Sequence, residues 1–531
     1  MNKKNEQFKN LPTCVADYIK LVIKKIRWRK KVREDVQAEL IAHFEDALCE
    51  CKTNEEKGKK AKELIDDFGD AELIAILTRR AKKRCRPLWQ KILIRSFQAL
   101  GIIIIYVVIC GVYVNWGKPN ITVNYVEWLN DYVRQGRDES LNSAPKVQKA
   151  AKLAVQMPEW LSDSNAKWPS DFNDTQMSDF ENWLMQNKPA FGTLKTALLK
   201  PLYWNIYDAN NSDLMKFDYF SVSEHRTLAR ALDWQIKYSA FKNNSADAVE
   251  KAVELFDLGQ RMEGNGLLIE QLVGVAIEAI GNRSVFDLLD KTQLTPHQLT
   301  DIQIFLQHHY NDTVIDMSGE KALIYDFIQR NFTDDGKGGG KPVSQGTGFA
   351  GKNTFEIILK ILTFNLPDKK DVISQMENFY AGCRQAFETP DIENMKKQLE
   401  NISSDSPMLM KSDLPAFGKV GELSWRTKMQ REALITTLAI LRYKQEMGNL
   451  PQSLDELLQA GYIKQMPFDI YRNGPLTYKR IDTCFILYSF GIDRDDDGGR
   501  MGISKEGRPN LWNLDGGDAV FWPIANNPGK K

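Results

Sequence analysis

Histidine is scarce in this chain, with five residues in 531: His43, His225, His297, His308 and His309. There is no H-E-x-x-H pair, no G-x-S-x-G elbow and no spaced Cys/His set. That excludes the hydrolases recognisable from a metal-binding helix or a nucleophile turn. A phosphate loop is missing too. Gly346-x4-Gly351-Lys352 matches its outline, but Asn353 stands where Ser or Thr ligates magnesium, and no strand precedes it. Cys49-Glu50-Cys51 lacks metal-ligand spacing and a second pair, so it reads as structural. With no catalytic constellation, the chain is not expected to be an enzyme. The remaining enzymatic alternative is a hydrolase of unrecognised type built on scattered carboxylates.

Charge is missing altogether from one stretch. Phe97 to Val114, FQALGIIIIYVVICGVYV, has Gln98 as its only strongly polar side chain. A helix of about 18 to 20 residues crosses a bilayer core. Trp89 and Trp116 flank the run where interfacial aromatics belong. One transmembrane helix is expected, within 92–116. It is not a cleaved signal peptide, because roughly 90 residues precede it and no small-residue cleavage site closes it.

The net charge of +1 hides an asymmetry. Residues 1–91 hold 23 Lys+Arg against 15 Asp+Glu, and the remaining 440 hold 48 against 55. The basic excess, with Arg79, Arg80, Lys82, Lys83, Arg84, Arg86 and Lys91 beside the helix, places the N-terminus in the cytoplasm and 117–531 outside. Such a cluster can also bind anionic headgroups, so membrane lipid is an expected partner, together with proteins; no nucleic-acid partner is expected. Cysteine usage agrees. Cys14, Cys49, Cys51 and Cys85 fall on the reducing side and Cys110 in the membrane. Outside, Cys383 and Cys484 are either one disulfide or two free thiols.

The fold expected is mainly α. Residues 1–91 form a helical domain, with apolar stripes Tyr18/Leu21/Val22/Ile26 and Val36/Leu40/Ile41/Phe44/Leu48, then helices over Lys57–Phe68 and Ala71–Thr78. The basic run Arg27–Arg33, then Glu39, His43 and Asp46 on one helix, and Phe68-Gly69-Asp70 resemble the HAAS domain. HAAS is a small helical signalling-type module found before bacterial membrane segments. The resemblance implies a cytoplasmic interaction module. Residues 117–333 read as a helical domain. Its tryptophans Trp128, Trp160, Trp168, Trp183 and Trp204 are taken as core or groove. Paired amphipathic helices over 223–332 suggest hairpins, loosely like tetratricopeptide repeats but without a fixed period. Residues 334–352 are a glycine-rich linker or loop, and 353–424 continue in helix.

The last module, 425–531, begins with a long helix Trp425–Met447 ended by Gly448. Ser453 caps a short helix, and Pro475–Tyr478 and Phe485–Ser489 read as paired strands. The order from Ala433 to Gly499, including Tyr443-Lys444, Ser453-Leu454-Asp455-Glu456-Leu457, Pro475-Leu476-Thr477-Tyr478 and Leu487-Tyr488-Ser489, resembles the globular part of the type II secretion major pseudopilin. That resemblance implies a helix packed on a small antiparallel sheet, with calcium in the last loop, and a link to secretion or envelope assembly. The membrane helix here lies far upstream and no processing motif accompanies it, which departs from that family. The whole arrangement looks like large membrane proteins of planctomycete-type bacteria.

Read on its own, Asp493-x-Asp495-x-Asp497-Gly498 places three carboxylates on alternate residues, and hard oxygen ligands in that spacing suit Ca2+. The twelfth position is Ser504, not the Glu of an EF-hand. Asp515 or Asp518 can complete the shell, so the expected ligands are Asp493, Asp495, Asp497 and Asp518; a solvated acidic turn is the alternative. The function expected is a membrane-anchored scaffold or interaction protein, with transmembrane signalling as the second reading.

Overall fold

The computed structural model describes all residues except 1–7, 28–29, 85–87, 164–167, 209–212, 217–220, 265, 309–314, 344–366, 405–413, 504–510, 513–515 and 525–531. The glycine-rich Gly346–Lys352 motif and the apolar face Phe355–Leu362 lie outside the described residues. The described chain is mainly helical, with a small sheet part near its end. It divides into two compact units, Met1–Gly111 and Val112–Lys531.

The first unit opens with four helices, Thr13–Lys25, Lys30–Leu48, Asn54–Phe68 and Ala71–Arg84. The first helix buries Val15, Ala16, Ile19 and Val22, whereas Leu21 is about half exposed. Of the expected stripe, Val22 and Ile26 are buried and Tyr18 half-buried, and only Leu21 points outward. Val36, Phe44 and Leu48 cover the stripe from the second helix. Thr53 starts the third with a capping box, its side chain accepting from Glu56 N while Glu56 bonds back to Thr53 N. Gly69 ends that helix at φ 77°, and Tyr18 donates to Gly69 O at 2.9 Å, tying the first helix to the turn. His43 packs edge-on against Phe68 with 5.2 Å between ring centroids, the contact of a helix-face residue.

Helix Leu88–Asn115 follows. Its stretch Ile92–Cys110 is the one described helix long and apolar enough to cross a membrane, and Cys110 is its one buried residue. Ile102, Ile103, Ile104 and Ile105 are consecutive, so they point around the whole circumference, and each is more than half exposed.

Beyond the helix the chain is pinned at once. Pro119 pairs with Thr333, and Gly117 at φ 105° passes so close to Thr333 that a Cβ there meets its methyl at 2.6 Å. Gln329 clamps the next residues. Its Oε1 accepts from Thr122 N at 3.3 Å and Val123 N at 3.2 Å, and its Nε2 donates to Val123 O at 2.7 Å. Asn124 then caps helix Tyr125–Arg134.

The second unit is built on helices Ser221–Phe241, Ser245–Met262, Leu268–Lys291, Pro296–His308 and Ser318–Asn331. The expected hairpins are present, but Ser221–Phe241 also packs on Leu268–Lys291, two elements on. Trp183 and Trp204 are buried and Trp168 nearly so, while Trp128 is exposed and stacks on Tyr132 at 5.2 Å. Helices Lys369–Phe387 and Ile392–Ser404 carry the fold on. Cys383 is buried in the first of these, Cys484 is exposed, and both are free thiols. Burial pushes the Cys383 thiol up to about 12.

The long helix runs from Leu414 to Met447, about three turns earlier than its expected start. It packs on Leu268–Lys291 and Pro296–His308 as well as on the sheet, so bundle and sheet share one core. Gly448 ends it at φ 78°, and Ser453 accepts from Glu456 N to cap Leu454–Gln459. Strand Thr477–Ile481 pairs antiparallel with Cys484–Ser489 through a two-residue turn at Asp482 and Thr483, and Ala519–Trp522 pairs on the other side.

Candidate functional site

Strand Cys484–Ser489 delivers the chain into the acidic loop. Tyr488 donates to Asp496 Oδ1 at 2.8 Å, and that hydrogen bond, with Lys479 near, holds the Asp496 carboxyl below its usual range. Asp493 Oδ1 accepts from Asp495 N at 3.3 Å, and its Oδ2 accepts from Gly517 N at 3.0 Å. Asp495 Oδ1 accepts from Asp496 N at 3.0 Å, and Asp497 pairs with Arg500 at 2.5 Å. Asp518 is fully buried at the start of the last strand. Its carboxylate accepts from Gly499 N at 2.6 Å and Asp497 N at 3.4 Å. Burial raises the Asp518 pKa, and the neighbouring Asp496 and Asp497 charges add to that.

The structure thus brings Asp518 onto the Asp493–Gly499 loop and ties Asp493 to the same segment through Gly517. Asp515 and Ser504 lie outside the described residues. The oxygen donors are of the hard kind that calcium takes. Their lone pairs, however, serve backbone N–H groups and Arg500. Among the described residues no three carboxylate, imidazole or thiol groups converge as a metal would need.

A second polar constellation lies inside the helical bundle, and it joins residues far apart in sequence. Glu278, fully buried on Leu268–Lys291, meets Arg431 of the long helix, with Oε1 2.7 Å from Nε. Glu263, just past helix Ser245–Met262, sets its carboxyl against that of Glu278. Burial raises the Glu263 pKa well above the ordinary carboxylate range, and the Glu278 charge adds to it. Arg431 and Lys428 pull in the opposite direction without cancelling the rise.

Glycines make the approach possible. A Cβ at Gly274 falls 2.5 Å from Glu263 N, and one at Gly259 falls 3.0 Å from Glu278 N. The long helix turns a polar stripe inward here: Ser424, Thr427, Lys428 and Arg431, at i, i+3, i+4 and i+7, are all buried. Asn282 sits one turn beyond Glu278 and is also buried. Both amide atoms of Gln260 and of Asn282, and Ser424 Oγ, are sealed from solvent without a hydrogen-bond partner.

Sequence reading missed this cluster. Glu263, Glu278 and Arg431 each look like ordinary helix-surface charge. The available signal was the long helix's inward face, on which charged residues recur at the spacing reserved for apolar ones. His225, buried on Ser221–Phe241, belongs to the same bundle. His297 is exposed and pairs with Asp301 at 2.8 Å. His308 is exposed, and His309 lies outside the described residues.

No protein-family model, curated protein or solved structure matches the chain.

Proposed function

We propose that the protein is a single-pass, membrane-anchored scaffold or interaction protein of a bacterial cytoplasmic membrane. In this reading Met1–Gly111 contains a cytoplasmic HAAS-like interaction module. Residues 117–531 are the outer face, ending in a pseudopilin-like α+β module with a single calcium loop at Asp493, Asp495, Asp497 and Asp518, and linked to secretion or envelope assembly. The observation that carries it is the Ile92–Cys110 helix, long and apolar enough to cross a membrane, with Ile102–Ile105 exposed on all sides. In water such a surface is costly at about 25 cal/mol per Å², and a bilayer removes that cost. The basic excess of residues 1–91 supports the orientation.

The exposed cysteines give the test. Cys49 and Cys484 are exposed, on the two sides of the helix. In intact cells a membrane-impermeant maleimide is expected to label Cys484 and spare Cys49, with Cys49 reacting only after lysis; each is scored in a variant lacking the other. Labelling of Cys49 in intact cells would reverse the topology, and recovery of the protein in the soluble fraction would remove the anchor.

A further inference from the structure

Helix Ala71–Arg84 turns its small residues inward. Ala71 and Ala75 are buried and Ile74 half-buried, in one cluster with Val22 and Ile26 of the first helix and Val36 of the second. Its larger apolar side chains go the other way: Leu73, Ile76 and Leu77 are 54%, 45% and 50% exposed. At i, i+3 and i+4 they form one stripe, and Arg80, at i+7, continues it. Arg79 and Arg80 are exposed as well, and Lys83 and Arg84 follow them in sequence. The other charges of the helix are turned to its neighbours. Lys82 reaches back to Glu39 at 2.5 Å, and Glu72, its one acidic residue, pairs with Lys25 at 3.1 Å. The outward face is therefore apolar in its first two turns and basic beyond them. An apolar stripe is disfavoured in water, and one bordered by cations matches a surface that is both oily and negative. Position in the chain says what covers it. Seven residues separate Arg84 from Ile92, where the apolar window of the next helix opens. Even fully extended they reach about 25 Å. If that window is in a bilayer, the outward face stays within reach of the headgroups, at high effective concentration.

We propose that helix Ala71–Arg84 lies on the anionic surface of the cytoplasmic leaflet, with Leu73, Ile76 and Leu77 set among the upper acyl chains and Arg79 and Arg80 against lipid phosphates. The inference rests on the membrane-anchored reading and adds a second, reversible contact to it. The first two helices, packed on the opposite face, then stand on its cytoplasmic side. Because the contact depends on lipid charge, the module is released where anionic lipid is sparse, while the Ile92–Cys110 helix keeps the chain in the membrane.

The test uses the full-length protein in nanodiscs of phosphatidylcholine, either alone or with about a third phosphatidylglycerol. Ile76→benzoylphenylalanine puts a photoreactive ring on the stripe, and Asp66→benzoylphenylalanine, exposed on helix Asn54–Phe68, is the control. Lipid adduct at Ile76 is expected to be at least about fivefold higher in the anionic discs than in the neutral ones, and to exceed that at Asp66. Arg79→Glu with Arg80→Glu should bring it down to the neutral level, as should salt of about 1 M, where the screening length is about 3 Å. Leu73→Ser with Leu77→Ser should lower it in both lipids. Incorporation into the discs without a lipid adduct at Ile76, an adduct indifferent to lipid charge, or crosslinking of Ile76 to protein instead overturns the inference and leaves the anchor standing. A chain that does not enter the discs at all removes the anchor, and the surface contact with it.

Discussion

Asp518 shows how a single carboxylate bears on the loop around it. Its folded pKa is raised, so the stability linked to this group is full below the ordinary value of 3.8 and falls as pH rises through the raised value. At neutral pH the ionised group sits buried beside Asp496 and Asp497, and a bound divalent cation relieves that repulsion. Calcium is therefore expected to raise the melting temperature of the sheet-bearing unit by about 2 °C or more at pH 7 and by less at pH 4. Asp518→Asn should abolish the response. Equal melting temperatures in calcium and in chelator at pH 7 would leave the loop as a turn held by its own hydrogen bonds. The alternate carboxylates were legible as a potential ligand set. What the sequence hid was their engagement with backbone N–H groups, because Gly499 and Gly517 reach those oxygens through turns far apart in the chain.

At the scale of helices and strands, local chemistry was read where it acts locally. Gly448, Ser453 and the Thr477–Ser489 hairpin appear as expected, because a cap or a tight turn needs only its own few residues. The expected helix begins at Trp425 and the observed one at Leu414, and its Ser424, Thr427, Lys428 and Arg431 are polar residues on a buried face. They face inward only because helix Leu268–Lys291 brings Glu278 to meet them. The crossing of Ser245–Met262 over Leu268–Lys291 depends on Gly274, where an added methyl meets the backbone of Glu263 and cannot be absorbed by a side-chain shift. Gly274→Ala is expected to destabilise the bundle by about 1–3 kcal/mol despite its better helix propensity. Thermal melts check this against Gly58→Ala, whose Cβ meets nothing within 4 Å and which should be neutral or slightly stabilising.

Over the whole molecule, the two compact units have separate cores. The first is small, centred on Ile19, Phe44 and Leu48, and the second runs continuously from Val147 to Phe521. Scanning calorimetry of the full-length protein in nanodiscs is expected to resolve two transitions, with calcium moving only the one that belongs to Val112–Lys531. A single transition would mean that the units unfold together. The second unit is tied down at its start. A slack linker stretches before it transmits force, but here Gln329 grips Thr122 and Val123, and Thr333 pairs with Pro119, within a few residues of the helix end. Tension applied to the chain ahead of Pro119 therefore meets the end of helix Ser318–Asn331 within a few residues, the Pro119–Thr333 bridge being loaded first and the three Gln329 hydrogen bonds next.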